Sequence, residues 1–163
     1  GNQTGASFSA NAADAVMRLN YSAHLYWLEP LLKRMAAQGS GTIAVTGSMA
    51  ADGNLPNSGP YTASKIALRA LVEALRFEAE PLGIKLCLIE PGFVSTEMTA
   101  STRYRMPFLR GAEEAAAAFM RAVETGKPSI RYPWPMAFIN RLSAILPCPA
   151  RRLGWRLLRA GMS

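Results

Sequence analysis

The sequence predicts an α/β chain built on a parallel sheet, and three observations point there. Two short, apolar, β-branched runs, Thr42–Thr46 (TIAVT) and Ile84–Ile89 (IKLCLI), have the length and composition of strands. Long stretches with apolar residues at helical spacing come before the first run and between the two. The intervening stretch is long enough for a helical crossover, which parallel neighbours require and a hairpin does not. At 163 residues, half of them hydrophobic and 18% charged, the chain suits one globular domain.

Residues 1–11 (GNQTGASFSAN) are small and polar, lack an initiating Met and read as a loop entered mid-domain. From Ala12 to Ala37, Val16, Leu19, Leu25, Leu28, Leu32 and Met35 recur at spacings near 3.6, which predicts one long helix. Asn11 or Asp14 is expected to cap its start, Gly39 lies just past its end, and Pro30 predicts a kink within it. Thr42–Thr46 sits between glycines and reads as a strand buried on both faces. Residues 51–60, with two glycines and two prolines, read as a loop.

Tyr61 to Glu80 follows as a helix apolar around most of its circumference, a pattern that implies cover beyond the sheet, such as a partner subunit. Pro81 and Gly83 make the turn into Ile84–Ile89, and Pro91-Gly92 end that strand. Residues 93–111 read as a loop or short helix that could serve as an apolar lid. Ala112–Thr125 reads as an amphipathic helix and Ser129–Trp134 as a last short strand. Two helical patterns, Met136–Leu146 and Ala150–Ala160, close the chain.

The net charge of +7 is local. Residues 1–126 carry 11 basic and 11 acidic side chains, whereas residues 127–163 carry seven basic ones and no acid. The reading therefore takes 1–126 as the catalytic portion and 127–163 as a basic extension of the same domain. In that extension Arg152, Arg156 and Arg159 share a helical face, so 150–160 could touch an anionic membrane surface, although a closing helix with solvated arginines is the plainer account. Nucleic-acid binding is disfavoured, since the tail matches no recognised module. Cys87 and Cys148 make no disulfide framework, and no apolar run is long enough to span a membrane, so a cytoplasmic location is expected. With one histidine, His24, there is no metal-ligand cluster, and His24 itself reads as a surface or interface residue.

The chemistry concentrates at Ser48, Tyr61 and Lys65. Tyr61 and Lys65 are i and i+4 on one helix, so an ammonium sits beside a phenol and favours its ionised form. A phenol with a pKa near 10 needs a drop of roughly 3 units, about 4 kcal/mol, to work as acid or base at neutral pH. A serine nucleophile is disfavoured because Met49 and Ala50 follow Ser48, where a nucleophile elbow needs a glycine two residues on. Polarisation of a carbonyl for hydride transfer is the better account.

These residues resemble the short-chain dehydrogenase/reductase family. Tyr61-Thr62-Ala63-Ser64-Lys65 matches its Tyr-x-x-x-Lys motif, and Ser48 stands thirteen residues before the tyrosine. Asn20 stands 28 residues before the serine, and Pro91-Gly92-Phe93-Val94-Ser95-Thr96 matches its Pro-Gly-x-Val-x-Thr segment. The resemblance implies a partial Rossmann-like doubly wound sheet with a helical C-terminal extension. It further implies NAD or NADP as cofactor, a small-molecule carbonyl or alcohol substrate, and a homodimer or homotetramer, while the apolar lid residues suggest a hydrophobic or bulky substrate.

By residue, the resemblance makes Tyr61 the acid or base and Lys65 the group that lowers its pKa and bonds the nicotinamide ribose. Ser48 would hold the substrate oxygen, and Asn20 would bend its helix and hold a relay water. Pro91, Gly92, Val94 and Thr96 would meet the nicotinamide end. The family's Gly-rich turn and Asn-Asn-Ala-Gly segment have no counterpart here, so the expectation is the C-terminal two-thirds of such an enzyme, inactive by itself. Thr42–Thr46 would then expose a sheet edge. The contrasting reading is a non-catalytic member that acts by association or through its basic tail.

Overall fold

In a computed structural model of the chain, residues 8–52, 58–100, 106–147 and 149–150 are described. Three parallel strands, β1 (Gly41–Thr46), β2 (Ile84–Pro91) and β3 (Ser129–Tyr132), form one sheet in the order β1-β2-β3. The register runs from Gly41 opposite Ile84 to Thr46 opposite Ile89, then from Leu88 opposite Ser129 to Pro91 opposite Tyr132. Among the described residues the α-helices α1 (Ala10–Met17), α2 (Ala23–Gln38), α3 (Gly59–Ala79), α4 (Glu97–Ala100), α5 (Ala112–Glu124) and α6 (Trp134–Ile145) accompany it.

The first helical stretch is continuous but not uniform. The Ser9 hydroxyl caps it by accepting from Ala12 N–H at 3.3 Å, so neither Asn11 nor Asp14 caps. Between α1 and α2 lies a π-helical turn, Arg18–Ser22. Pro30 does not break the helix: α2 runs through it as α-helix. Gly39, at φ 73°, ends α2 in the left-handed conformation.

β1 corrects a second expectation. Only Ile43 and Val45 are buried, while Thr42, Ala44 and Thr46 are exposed, so the strand is covered on one face. The apolar run misleads because alanine and threonine suit an open face as well as a core. β1 is also an edge of the sheet, whereas β2, the central strand, is buried along nearly its whole length. The core joins Leu28 of α2, Ile43 and Val45 of β1, Leu68 and Val72 of α3, and Ile84, Leu86 and Leu88 of β2.

Helix ends set the strand starts. The Gly83 carbonyl accepts from Gly41 N–H at 3.3 Å, and Gly83 adopts φ 75°. A Cβ on Gly83 would lie 2.2 Å from the Gly39 carbonyl oxygen, so the turn ending α2 and the turn entering β2 touch backbone to backbone. A Cβ on Gly41 would strike the Met35 side chain, which shows how closely α2 lies on β1. α3 starts at Gly59, two residues before the expected Tyr61, because Pro60 fits the first turn of a helix. Residues 151–160 of the last helical pattern, Cys148 and the lid residue Tyr104 fall outside the described residues.

Candidate active site

Parallel strands gather their carboxyl ends along one edge, and loops there form sites. At that edge β1 delivers Gly47 and Ser48, and β2 delivers Pro91-Gly92. Gly47 N–H donates to the Ile89 carbonyl at 2.7 Å, which continues the ladder one residue past β1. The Ser48 hydroxyl oxygen accepts from Ala50 N–H at 3.1 Å, so its own proton remains to be donated. Ser48 thereby opens the 3-10 turn Met49–Asp52.

α3 packs against α1, the π turn and the Met49–Asp52 turn, and so brings the elements of all four predicted residues together. Lys65 is buried, and its ammonium donates to the Thr46 carbonyl at 3.0 Å, two residues before Ser48. The same Nζ lies 5.9 Å from the centre of the Tyr61 ring. Burial lowers the Lys65 pKa from its usual value. Tyr61 is half-buried in the first turn of α3, and its carbonyl accepts from the Ser64 hydroxyl at 2.7 Å. Asn20 is half-buried in the π turn, which faces α3. A π turn widens the helix and displaces carbonyls from their usual partners, which makes it a common place for function.

His24, read as a surface or interface residue, lies near Lys65. It is half-buried, its Nδ1 is buried without a hydrogen-bond partner among the described residues, and it feels the Lys65 charge. Burial first, then that ammonium, hold the imidazole below its ordinary range. The signal available in sequence was its i+4 spacing from Asn20, which carries both onto one helix face.

The Pro91–Thr96 segment is held from two sides. Gly92 N–H donates to the Tyr132 carbonyl at 2.8 Å, and a Cβ on Gly92 would meet Met136, Met49 and Pro133, so protein already packs this glycine closely. Val94 bridges to Arg110, with Ser95 N–H donating to the Arg110 carbonyl at 2.8 Å. The Thr99 hydroxyl donates to the Val94 carbonyl at 2.8 Å and accepts from Thr96 N–H at 2.8 Å. No hydrogen bond engages the Val94 N–H among the described residues.

One feature lay beyond sequence reasoning: a buried ring of two guanidiniums and two carboxylates. Arg69 Nε donates to Glu90 at 2.6 Å, and Arg69 Nη1 donates to Asp52 at 3.0 Å and to the Ala51 carbonyl at 3.3 Å. Arg131 pairs with Asp52 and reaches Glu90 at 3.4 Å. No side chain of the four is more than 21% exposed. Burial pushes the Glu90 carboxyl up, against the pull of Arg69 and Arg131. The ring ties the turn after Ser48 to α3, β2 and β3. Partners separated by 17, 21 and 79 residues leave no local pattern to read.

Comparison with known proteins agrees with this architecture. The family model described as short chain dehydrogenase matches residues 1–106. An uncharacterized oxidoreductase of Myxococcus xanthus is 31% identical over 131 residues, covering 77% of this chain and 52% of its own. Human 17-beta-hydroxysteroid dehydrogenase type 1 is 28% identical over 167 residues, covering 86% and 51%. A short chain dehydrogenase from Burkholderia cenocepacia, solved in complex with NADP, superposes with a TM-score of 0.77 at 25% identity, over 96% of this chain and 64% of that one. The chain thus spans about half the length of the curated relatives it matches. With the family model matched over more than half its residues and the fold shared with solved members, this chain belongs to the short-chain dehydrogenase family.

Proposed function

We propose that these residues carry the proton chemistry of an NAD(P)-dependent oxidoreductase acting on a carbonyl or alcohol. A bound nicotinamide dinucleotide would supply or accept the hydride. Tyr61 gives its phenolic proton to the substrate oxygen in reduction and takes it back in oxidation. Ser48 keeps its hydroxyl proton for that same oxygen. Lys65 stands beside the ring as a cation, and Asn20 holds a water that returns protons to Lys65.

The observation that carries this reading is the buried Lys65 ammonium, fixed on Thr46 beside the Tyr61 ring. The donor set also suits the nicotinamide end of the cofactor. An ammonium has three N–H groups, and Thr46 takes one, which leaves two for ribose hydroxyls. The Val94 N–H suits a carboxamide oxygen, with Pro91, Gly92 and Thr96 shaping the turn around it. The grip on the pyrophosphate and adenosine is assigned to no residue of this chain. Residues 1–163 alone are accordingly expected to turn over little, and steady NAD(P)H oxidation by them with a carbonyl substrate would overturn that expectation.

The half-exposed Phe108 and Leu109 after β2 favour an apolar substrate, in keeping with similarity to a relative named for hydroxysteroids. Exposed Tyr26 and Trp27 of α2 and Phe77 of α3 favour self-association through those helices, which sedimentation would read as a dimer or tetramer. For the reaction, the deciding measurement is Tyr61→Phe in the protein as the cell makes it. A loss in kcat of about 100- to 10,000-fold with the fold intact is expected, and retained activity would overturn the proposal.

A further inference from the structure

Helix α6 is packed inside out. At about 100° per residue, Trp134, Phe138, Leu142 and Ile145 fall within one narrow arc of the helix. All four face solvent, at 74%, 65%, 51% and 78% exposure, and Ile139 and Leu146 widen the stripe. The half-buried side instead carries Met136, Ala137, Asn140 and Ser143. A helix that only closed a domain would turn its large apolar residues inward, so this face is built for something outside the chain.

Charge identifies the occupant. After Glu124 the sequence has no acid and seven basic residues, of which Arg131 is neutralised in the buried ring. Exposed Arg141 borders the stripe, and Arg151, Arg152, Arg156 and Arg159 follow within fifteen residues of the end of α6. A second copy would bring two basic surfaces together, whereas an anionic surface complements this one.

We propose that α6 docks on an anionic lipid bilayer, lying in its plane with the apolar stripe at the headgroup–acyl boundary. Its 12 residues cover about 18 Å, too short for a hydrocarbon core of about 30 Å. No helix among the described residues is long and apolar enough to cross a membrane, so α6 lies on the surface. Met136, on the opposite face of α6, packs on Gly92, so docking leaves the Pro91–Gly92 turn a helix diameter from the lipid.

The test is co-sedimentation of the full chain with vesicles of phosphatidylcholine mixed with phosphatidylglycerol, against phosphatidylcholine alone. Binding to the mixed vesicles is expected to exceed binding to the neutral ones by about tenfold or more. It should fall by a similar factor in the double variant Phe138→Ser/Ile145→Ser at unchanged Tm. Absence of binding to the mixed vesicles would overturn the proposal, as would unchanged binding by the double variant, which would leave the tail as the only contact. A lipid-free dimer that the same double variant dissociates would overturn it in favour of a second copy.

Discussion

The Lys65 ammonium donates to the Thr46 carbonyl at 3.0 Å, and this single bond locks α3 to the end of β1 just ahead of Ser48. It makes Lys65 a spacer as well as a charge. Lys65→Met is expected to lower kcat through both routes. Lys65→Arg keeps the charge but presents a planar guanidinium where a compact ammonium fits, so it rescues poorly. Steady-state kinetics of the two variants check this, and full rescue by arginine would show that charge alone matters.

Burial lowers the Lys65 pKa in the fold, so between that value and the unfolded value near 10.5 the unfolded chain binds more protons. Stability from this group therefore rises with pH across that window, as the cost of keeping a buried ammonium is relieved. The Tm of the wild type relative to Lys65→Met is expected to climb as pH rises toward 10.5. A flat difference would contradict the assignment.

The buried ring predicts a steep loss when one cation goes. Arg69→Met removes one of the two guanidiniums that Asp52 and Glu90 share, and removal of one partner from a buried set costs about 3–5 kcal/mol. Urea midpoints of wild type and variant measure it. Arg69→Met/Glu90→Gln should recover part of the loss, because one anion leaves with the cation.

Two glycines with nearly equal φ separate strain from collision. Gly39→Ala, with open space around the new Cβ, is expected to cost about 1 kcal/mol. Gly83→Ala meets the Gly39 carbonyl at 2.2 Å and should cost distinctly more. Equal urea midpoints for the two would refute the close approach.

The core has a plainer test. Leu68 is fully buried between α3 and the sheet, so Leu68→Ala is expected to lose about 2–5 kcal/mol on urea unfolding. The exposed Phe77→Ala on the same helix should change stability little in the monomer.

Much of the fold was legible because each element carries its own period. Ile84–Ile89 and Ala112–Thr125 were found nearly to the residue as β2 and α5, since apolar spacing and glycine or proline punctuation agree there. The π turn was not legible from residue type, because Arg18–Ser22 has no residue that breaks a helix, and only the resemblance, through Asn20, pointed to a bend there; Pro30, which advertises a break, leaves α2 continuous. The open face of β1 escaped because TIAVT alternates in burial without alternating in polarity. At the site, Asn20, Ser48, Tyr61 and Lys65 stood out through spacing along the chain. The Arg69–Asp52–Glu90–Arg131 ring is made only when the strands meet, and no window of sequence contains it.

The backbone contact between Gly39 and Gly83 also governs what insertions the chain will bear. It anchors Gly41 opposite Ile84, and Met35 leaves no slack above Gly41. One residue added between Gly39 and Gly41 would slip β1 by a single step and turn the strand over. Thr42, Ala44 and Thr46 would then face the core in place of Ile43 and Val45, and the Thr46 carbonyl would turn away from Lys65.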